Sequence, residues 1–324
     1  MPLIMQRLER LESALTSKYW SFIFLTPETC PRKLIQALSL NLPHVESESW
    51  LDRLSWGGTF INGKPVYEDQ ALIPPCRIEY YEPKDAFDSA GSNYPHFDPD
   101  QIVFEDEQLL AVFKPARLPC LPVREQRLFN LRNYLDRYLQ GKKSSARVHM
   151  PSRLDTSVCG LVLASKDESF HNKLQILYQN RRMHKLYIMR TDRIPNWDEI
   201  TVDAPITRDP AHAVLRKVAD YGGKPAETIF NVLGKDEQGT VIISARPLTG
   251  RTHQIRLHAL HAGIPILGDN FYCGTPASEL NLMSYKVAFT HPNTRGEIEI
   301  TVPSRLFPAW IDRDFEALYT KQLE

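Results

Sequence analysis

Seven short segments between residues 102 and 302 are rich in the β-branched, aromatic and aliphatic residues typical of strands. Most of them follow one another without a helix in between, which favours antiparallel pairing over the parallel sheet of a βαβ protein. The sequence therefore predicts an α+β domain, with a mixed but mainly antiparallel sheet on which a few helices pack. The predicted strands are 102–104, 109–113, 161–164, 186–189, 228–232, 241–245 and 297–302.

Three helices are predicted in the same region. Each shows apolar residues three or four positions apart, the spacing that places them on one helical face. Polar residues that accept hydrogen bonds from backbone amides mark the helix starts, and glycine marks one end. The predicted helices span about 128–139, 167–178 (N-cap Asp167) and 253–262 (N-cap Thr252, ending at Gly263).

The chain before residue 101 divides into three parts. Residues 1–20 carry both charge signs and one apolar helical face, which predicts an amphipathic helix rather than a signal peptide. Residues 21–82 predict a small α+β module, in which an Asn-Gly pair between apolar runs indicates a β-hairpin. Residues 83–100 are rich in Pro, Ser, Gly, Asn and Asp, which predicts a linker to the domain 101–324.

The cysteine pattern and the absence of several motifs exclude some classes of protein. The five cysteines form no CxxC pair, and an odd number fits reduced thiols in the cytoplasm better than a disulfide framework. No apolar run approaches the roughly 18 residues of a membrane span. The sequence also lacks the P-loop, GxGxxG, GxSxG and HExxH motifs. We therefore expect a cytoplasmic protein that is neither membrane-bound nor a nucleotide-binding enzyme, serine hydrolase or zinc protease.

The charges sum to zero, with 39 basic and 39 acidic residues, but they are unevenly distributed. Residues 171–193 contain six bases and one acid, and residues 246–261 contain three arginines, three histidines and no acid. A segregated charge distribution can hold a polyanion on one face of a neutral protein. The alternative is that these segments are ordinary solvated surfaces.

Asp155 is the first candidate functional residue. It lies with Arg153 on a polar loop directly before the buried strand 161–164, and Gly160 stands where the chain enters that strand. This placement would hold a carboxylate at the rim of a rigid sheet. A carboxylate that merely caps a turn is the alternative.

The segment from Lys185 to Met189 alternates along a predicted strand. Leu186 and Ile188 share one face, and Tyr187 lies on the other. If the first face is the core, Tyr187 points to a cleft or to solvent, where it could stack on a nucleic-acid base. An ordinary half-buried strand tyrosine is the alternative.

Residues 246–258 combine the end of a strand, a glycine turn and the start of a helix. The open amides of the helix N-terminus together with Arg251 would suit a phosphate, and Arg256, one turn along, could project toward a carboxylate. The histidines in this segment do not share one helical face and have no carboxylate or cysteine nearby. We therefore expect no metal site.

Together these segments resemble the RluA-type RNA pseudouridine synthases from about residue 101 onward. The family's His-Arg-Leu-Asp loop, its Lys-x-Tyr strand and its Gly-Arg-Thr-His-Gln-Ile-Arg signature occur in order. The departures are Ser152 in place of the histidine and Val158-Cys159 in place of Thr-Ser before the glycine. The matching residues are Ser152-Arg153-Leu154-Asp155, Lys185-Leu186-Tyr187 and Gly250 to Arg256, supported by Lys114-Pro115, Gly223-Lys224-Pro225-Ala226, Leu267-Gly268-Asp269 and Tyr272.

The resemblance implies an isomerase that breaks the C1′–N1 bond of a uridine and joins C1′ to C5, without a cofactor or metal. Asp155 would be the catalytic carboxylate, Arg256 its ion-pair partner, and Tyr187 the residue that stacks on the flipped base. The carboxylate could add covalently to the substrate or remove the C2′ proton to give a glycal. The residues implied to contact RNA are Arg153, Arg181, Arg182, Lys185, Arg251 and His253.

Residues 32–81 are similar to the small RNA-binding module of ribosomal protein S-four type, which makes ribosomal RNA the favoured partner and transfer RNA the alternative. We expect a monomer. Two other classes stay open: a catalytically idle RNA-binding protein, and a hydrolase with Asp155 as general base. The retention of Asp155, Tyr187 and Arg256 together argues against the first, and the lack of oxyanion donors or a metal argues against the second.

Overall fold

The computed structural model describes residues 20–25, 33–42, 47–55, 58–81, 97–122, 130–142, 147–210, 215–236 and 239–311. The amphipathic helix predicted for 1–20 lies, but for Trp20, outside these ranges, as does most of the predicted linker. Two compact units are present, one built mainly from residues 20–81 and the other mainly from residues 97–311. No helix in the described ranges is long and apolar enough to cross a membrane.

The first unit is a four-stranded antiparallel sheet, in the order β1–β4–β2–β3, with two helices. The predicted hairpin is confirmed, because Asn62 and Gly63 both adopt positive φ values, 50° and 76°, in the turn between β2 and β3. Trp50 packs edge-on against Tyr80 in its core. The elements are β1 (Trp20–Leu25), α1 (Leu34–Asn41), α2 (Ser47–Ser55), β2 (Thr59–Ile61), β3 (Lys64–Pro65) and β4 (Cys76–Tyr81).

The second unit is organised around a nine-stranded sheet, with the order β5–β6–β7–β14–β8–β13–β12–β9 and β15 beside β14. Its described strand pairs are antiparallel except for β7 and β14, so the predicted α+β class is confirmed. The elements are β5 (Ile102–Glu105), β6 (Leu109–Lys114), α3 (Leu131–Gly141), β7 (Cys159–Ser165), α4 (Glu168–Gln179), β8 (His184–Thr191), β9 (Glu199–Asp203), β10 (Ile206–Arg208), β11 (Arg216–Val218), β12 (Glu227–Lys235), β13 (Val241–Pro247), α5 (Gln254–His261), β14 (Leu282–Thr290) and β15 (Glu297–Thr301).

Two predicted helix starts differ from the structure. Helix α3 begins at Leu131, because the side chain of Asn130 accepts a hydrogen bond from the amide of Asn133 and caps the helix there. Helix α5 begins at Gln254, and its N-cap is His253 in a left-handed conformation rather than Thr252. The prediction for α4 is confirmed, since the Asp167 side chain accepts from the amide of Phe170.

Both faces of the sheet are covered. Alternate residues of β7 belong to different hydrophobic clusters, with Leu161 and Leu163 on one side of the sheet and Val162 on the other. On β8, Ile188 joins the first side, whereas Tyr187 packs with residues of α5. Of the two expected surroundings of Tyr187, solvent is excluded, because its side chain is only 8% exposed.

Gly160 fixes the point at which the Asp155 loop enters the sheet. Its φ is +111°, and a Cβ atom there would lie 2.2 Å from the carbonyl oxygen of Ser284. Any side chain would therefore collide with the backbone of β14 at the pair Gly160–Ser284, one of two in the β7–β14 contact. The glycine is required because two backbones approach closely, and this approach determines where the loop before β7 lies.

Candidate active site

The loop that carries Asp155 is attached to the loop after β6 on both sides of the carboxylate. The buried Lys114 ammonium donates to the carbonyl oxygens of Leu118 (2.8 Å) and Thr156 (3.1 Å). The amide of Leu154 donates to the Cys120 sulfur at 3.3 Å. Because the residues before and after Asp155 are both fixed, its backbone has little freedom to move.

Arg256 makes the pairing with Asp155 that the sequence predicts. Its Nη1 lies 3.3 Å from Asp155 Oδ2, and the Asp155 side chain is 27% exposed. The same guanidinium is held by Asp269 through two further bonds, Nε to Oδ2 at 2.7 Å and Nη2 to Oδ1 at 2.6 Å. Arg256 is thus anchored by one buried carboxylate and presents its remaining nitrogen to the half-buried one.

The electrostatics of this triad keep the guanidinium charged. Burial alone would lower the pKa of Arg256, but the charge and hydrogen bonds of Asp269, with a smaller contribution from Asp155, raise it above its usual value. The aromatic rings of Phe271 and Tyr272 lie 5.2 and 5.1 Å from the guanidinium carbon. A permanent positive charge therefore stands beside Asp155 and stabilises its negative charge.

His253 lies beside Asp155 and not on the surface, where an RNA-contacting residue was expected. Its Nε2 is 3.7 Å from Asp155 Oδ2, and its Nδ1 is 2.7 Å from the Tyr272 hydroxyl. Burial lowers the pKa of His253 to about 4, although the nearby Asp155 opposes this shift. The imidazole is therefore uncharged at neutral pH and cannot serve as a cation for phosphate.

Tyr187 lines a cleft beside the Asp155 loop. Burial raises its pKa above the usual tyrosine value, with a smaller opposing effect from a hydrogen bond to Ser284. Lys185, on the same face of β8, places its ammonium 4.3 Å from the centre of the Tyr178 ring, and burial lowers its pKa to about 8. The cleft is lined by Ser152, Leu154, Leu161, Val162, Leu163, Tyr178, Lys185, Tyr187, Ser284 and Val287.

The substituted residue Ser152 is bonded into this cleft. Its hydroxyl donates to the Tyr178 hydroxyl at 2.8 Å. Val158 and Cys159, the other departures from the family pattern, are buried, and the Cys159 thiol donates to the Leu282 carbonyl at 3.7 Å. These two side chains contribute to the core at the base of the loop and do not line the cleft.

The predicted arginine contacts remain at the surface. Arg153, Arg181, Arg182 and Arg251 are all exposed. Arg181 lies 3.9 Å from Glu227, and Arg251 Nε donates to the Pro225 carbonyl at 3.0 Å. The structure therefore brings Asp155, Arg256 and His253 together, places Tyr187 in the adjoining cleft, and leaves the arginines available to a large ligand.

Asp269, Tyr272 and Lys114 are the functional candidates to which sequence reasoning assigned no role. Each of the three residues lies in a segment that matches the family pattern, so the sequence did point to these positions. The sequence pattern did not indicate that Asp269 contacts Arg256 or that Tyr272 contacts His253. Within the described residues, no group of three or more His, Cys, Asp or Glu side chains is arranged to bind a metal ion.

Comparison with known proteins identifies the family to which the chain is similar. The profile of the family described as RNA pseudouridylate synthase matches residues 108–261. The chain is 34% identical over 216 residues to the dual-specificity RNA pseudouridine synthase RluA of Vibrio parahaemolyticus, with 64% of this chain and 84% of that protein covered. It is 30% identical to the uncharacterized RNA pseudouridine synthase YjbO of Bacillus subtilis, covering 63% and 72%.

The fold is also shared with solved structures. Human RNA pseudouridylate synthase domain containing 1 superposes with a TM-score of 0.54 at 19% identity, covering 68% of this chain and 93% of that one. The sheet topology, the ordered motifs and the relatives lead to one conclusion. The chain belongs to the RluA-type family of RNA pseudouridine synthases, isomerases that convert uridine to pseudouridine in RNA.

Proposed function

We propose that Asp155 is the catalytic carboxylate of this enzyme and that its substrate is a uridine in structured ribosomal RNA. The observation that carries the first part is the position of Asp155 at the rim of the sheet, partly exposed and ion-paired to a buried arginine. The second part rests on the expectation from the sequence that residues 32–81 form an RNA-binding module of ribosomal-protein type. Transfer RNA is the alternative substrate.

The geometry suits either form of the reaction. Covalent addition to the substrate and removal of the C2′ proton both require an anionic oxygen with a free lone pair. Arg256 and His253 both approach Oδ2 of Asp155, so Oδ1 is the oxygen that can face the ribose. Arg256 also compensates the charge of the carboxylate, which must remain ionised until it reacts.

The base has to leave its stack before its ribose can reach Asp155. In the proposed complex the uracil lies at the mouth of the cleft, against the accessible part of Tyr187. Because Tyr187 is largely buried, only part of its ring can contact the base.

The exposed arginines are proposed to bind phosphates around this cleft. We expect Arg182→Gln to weaken binding to ribosomal RNA transcribed in vitro. The slope of log affinity against log salt should decrease by roughly 0.7 to 0.9, the value for one lost phosphate contact. The control is Arg295→Gln, which removes an equally exposed arginine from the turn between β14 and β15. Equal slopes for the two variants would show that Arg182 is only solvated.

The RNA target is tested by mapping pseudouridine in total RNA from cells with and without this protein. We expect the loss of one or more sites in ribosomal RNA, and their return when the parent protein is supplied. Cells that receive Asp155→Asn instead should lack the same sites. Losses confined to transfer RNA would overturn the ribosomal assignment and leave the catalytic one intact.

A further inference from the structure

We propose that Tyr272 and His253 form a hydrogen-bonded chain that positions Asp155, with the Tyr272 hydroxyl donating to His253 Nδ1 and His253 Nε2–H directed at Asp155 Oδ2. This inference rests on the proposed catalytic role of Asp155. His253 is then a positioning residue, and Tyr272 fixes the imidazole that does the positioning. This positioning role does not require either residue to contact RNA.

The hydrogen bonds of Tyr272 determine which way the chain runs. The backbone amide of Arg216 donates to the Tyr272 oxygen at 3.1 Å and therefore occupies one of its lone pairs. Among the described residues, the other hydrogen-bond partner of that hydroxyl is His253 Nδ1, at 2.7 Å. A buried hydroxyl hydrogen without an acceptor is unfavourable, so the hydrogen is directed at Nδ1.

The ring of His253 then has one possible tautomer. The charged groups facing it are Asp155, Arg256, Asp269 and Arg216, and burial lowers its pKa to about 4. The imidazole is therefore neutral and carries a single proton. Since Nδ1 accepts from Tyr272, that proton resides on Nε2, the nitrogen that faces Asp155.

The distance to Asp155 is suited to a contact that tightens during the reaction. At 3.7 Å the Nε2–Oδ2 pair is longer than a direct hydrogen bond. An approach of roughly 0.8 Å would bring it to the usual N–H···O distance. Catalytic hydrogen bonds are often long in the free enzyme and shorten in the substrate complex.

The backbone of His253 is compatible with this arrangement. It adopts φ 57° and ψ 20° at the N-cap of α5, a left-handed conformation that asparagine, aspartate and histidine adopt more often than other non-glycine residues. Its side chain makes no capping hydrogen bond to the helix in return. The imidazole instead lies between the Tyr272 hydroxyl and Asp155.

The decisive experiment compares His253→Gln with His253→Leu. Both substitutions place an unbranched Cβ in the same left-handed backbone, but only glutamine retains an N–H donor for Asp155. The probe is RNA from cells that lack this protein, labelled with tritium at C5 of uridine. Pseudouridine formation releases this tritium to water, because C5 exchanges its hydrogen for the bond to C1′.

We expect His253→Leu to reduce the single-turnover rate by about 10- to 100-fold and His253→Gln to stay within about fivefold of the parent. Tyr272→Phe should also lower the rate, because the imidazole loses the hydroxyl that holds it. RNA affinity should not change.

Equal losses in the glutamine and leucine variants would show that His253 only fills space. Nitrogen NMR of the histidine-labelled parent protein gives a second test that needs no activity. It should show His253 protonated at Nε2 and not at Nδ1, and the opposite tautomer would overturn the chain. An Asp155→Asn enzyme that remains active would instead contradict the proposed function, so the two failures are distinct.

Discussion

We expect Asp155→Asn to remove pseudouridine formation while leaving the protein folded and able to bind RNA. The substitution preserves the shape of the side chain but eliminates its charge and its basic or nucleophilic oxygen. Loss of a positioned acid–base group reduces rates by about 100- to 10,000-fold, and loss of a covalent nucleophile by more. The measurement is single-turnover tritium release from the C5-labelled RNA.

The folded state of this variant should be almost unaffected. Asp155 is 27% exposed, and such pairs contribute only about 0–1 kcal/mol. Arg256 retains both of its bonds to Asp269 when Asp155 is neutral. Melting temperature and RNA affinity are therefore measured beside the rate. Turnover within tenfold of the parent would end the catalytic assignment, and an unfolded variant would indicate that Asp155 is a structural turn residue.

The second large effect is expected at Asp269, the other carboxylate that pairs with Arg256. Asp269 is 1% exposed and makes both of the short bonds to Arg256. Asp269→Asn leaves a buried guanidinium with only the more distant Asp155 as a counter-charge. Breaking a buried ion pair on one side costs about 3–5 kcal/mol, so the free energy of unfolding should fall by that amount. Activity should fall with it, because Arg256 loses its orientation.

A double variant separates the two effects. Asp269→Leu combined with Arg256→Met removes the whole pair, and well-packed apolar replacements of a buried pair are often no less stable than the pair itself. We expect this protein to recover most of the stability lost in Asp269→Asn and to remain inactive. Chemical denaturation and the tritium assay give the two readings. An Asp269→Asn protein destabilised by less than about 1 kcal/mol would contradict the anchoring role of Asp269.

Local sequence patterns were enough to predict the fold class and part of the candidate site. The succession of short strands predicted the α+β class, because strands without intervening helices must pair antiparallel. Asp155 could be placed at the rim of the sheet since it stands on a polar loop directly before a buried strand. Arg256 could be placed one turn into a helix by its spacing from the glycine turn.

The missing parts depend on contacts that no local pattern encodes. Asp269 reaches Arg256 from an irregular segment, and that segment is shaped by Gly268, which has φ +77° and packs against the Glu279 carbonyl. Alternation along β8 showed which residues share a face, but it could not show that α5 covers the face of Tyr187. Thr252 was a good N-cap by composition, yet the helix starts one residue later, with His253 as its N-cap.

The most consequential omission was β14, which no strand prediction included. Its sequence does alternate with period two: Met283, Tyr285, Val287 and Phe289 share one face, and Ser284, Lys286 and Thr290 lie on the other. The sequence therefore carried a local signal for this strand. Its place between β7 and β8 becomes evident only from the pairing of the complete sheet.

The position of β14 between β7 and β8 affects how the domain folds during synthesis. Strand β7, which follows the Asp155 loop, obtains its second neighbour only from β14, close to the C-terminal end of the domain. During translation β7 and β8 therefore leave the ribosome long before the strand that must be inserted between them. Until then both present open hydrogen-bonding edges to other chains or to chaperones. A nascent or truncated chain that stops before β14 cannot assemble the active site, so modification of RNA begins only after the domain is nearly complete.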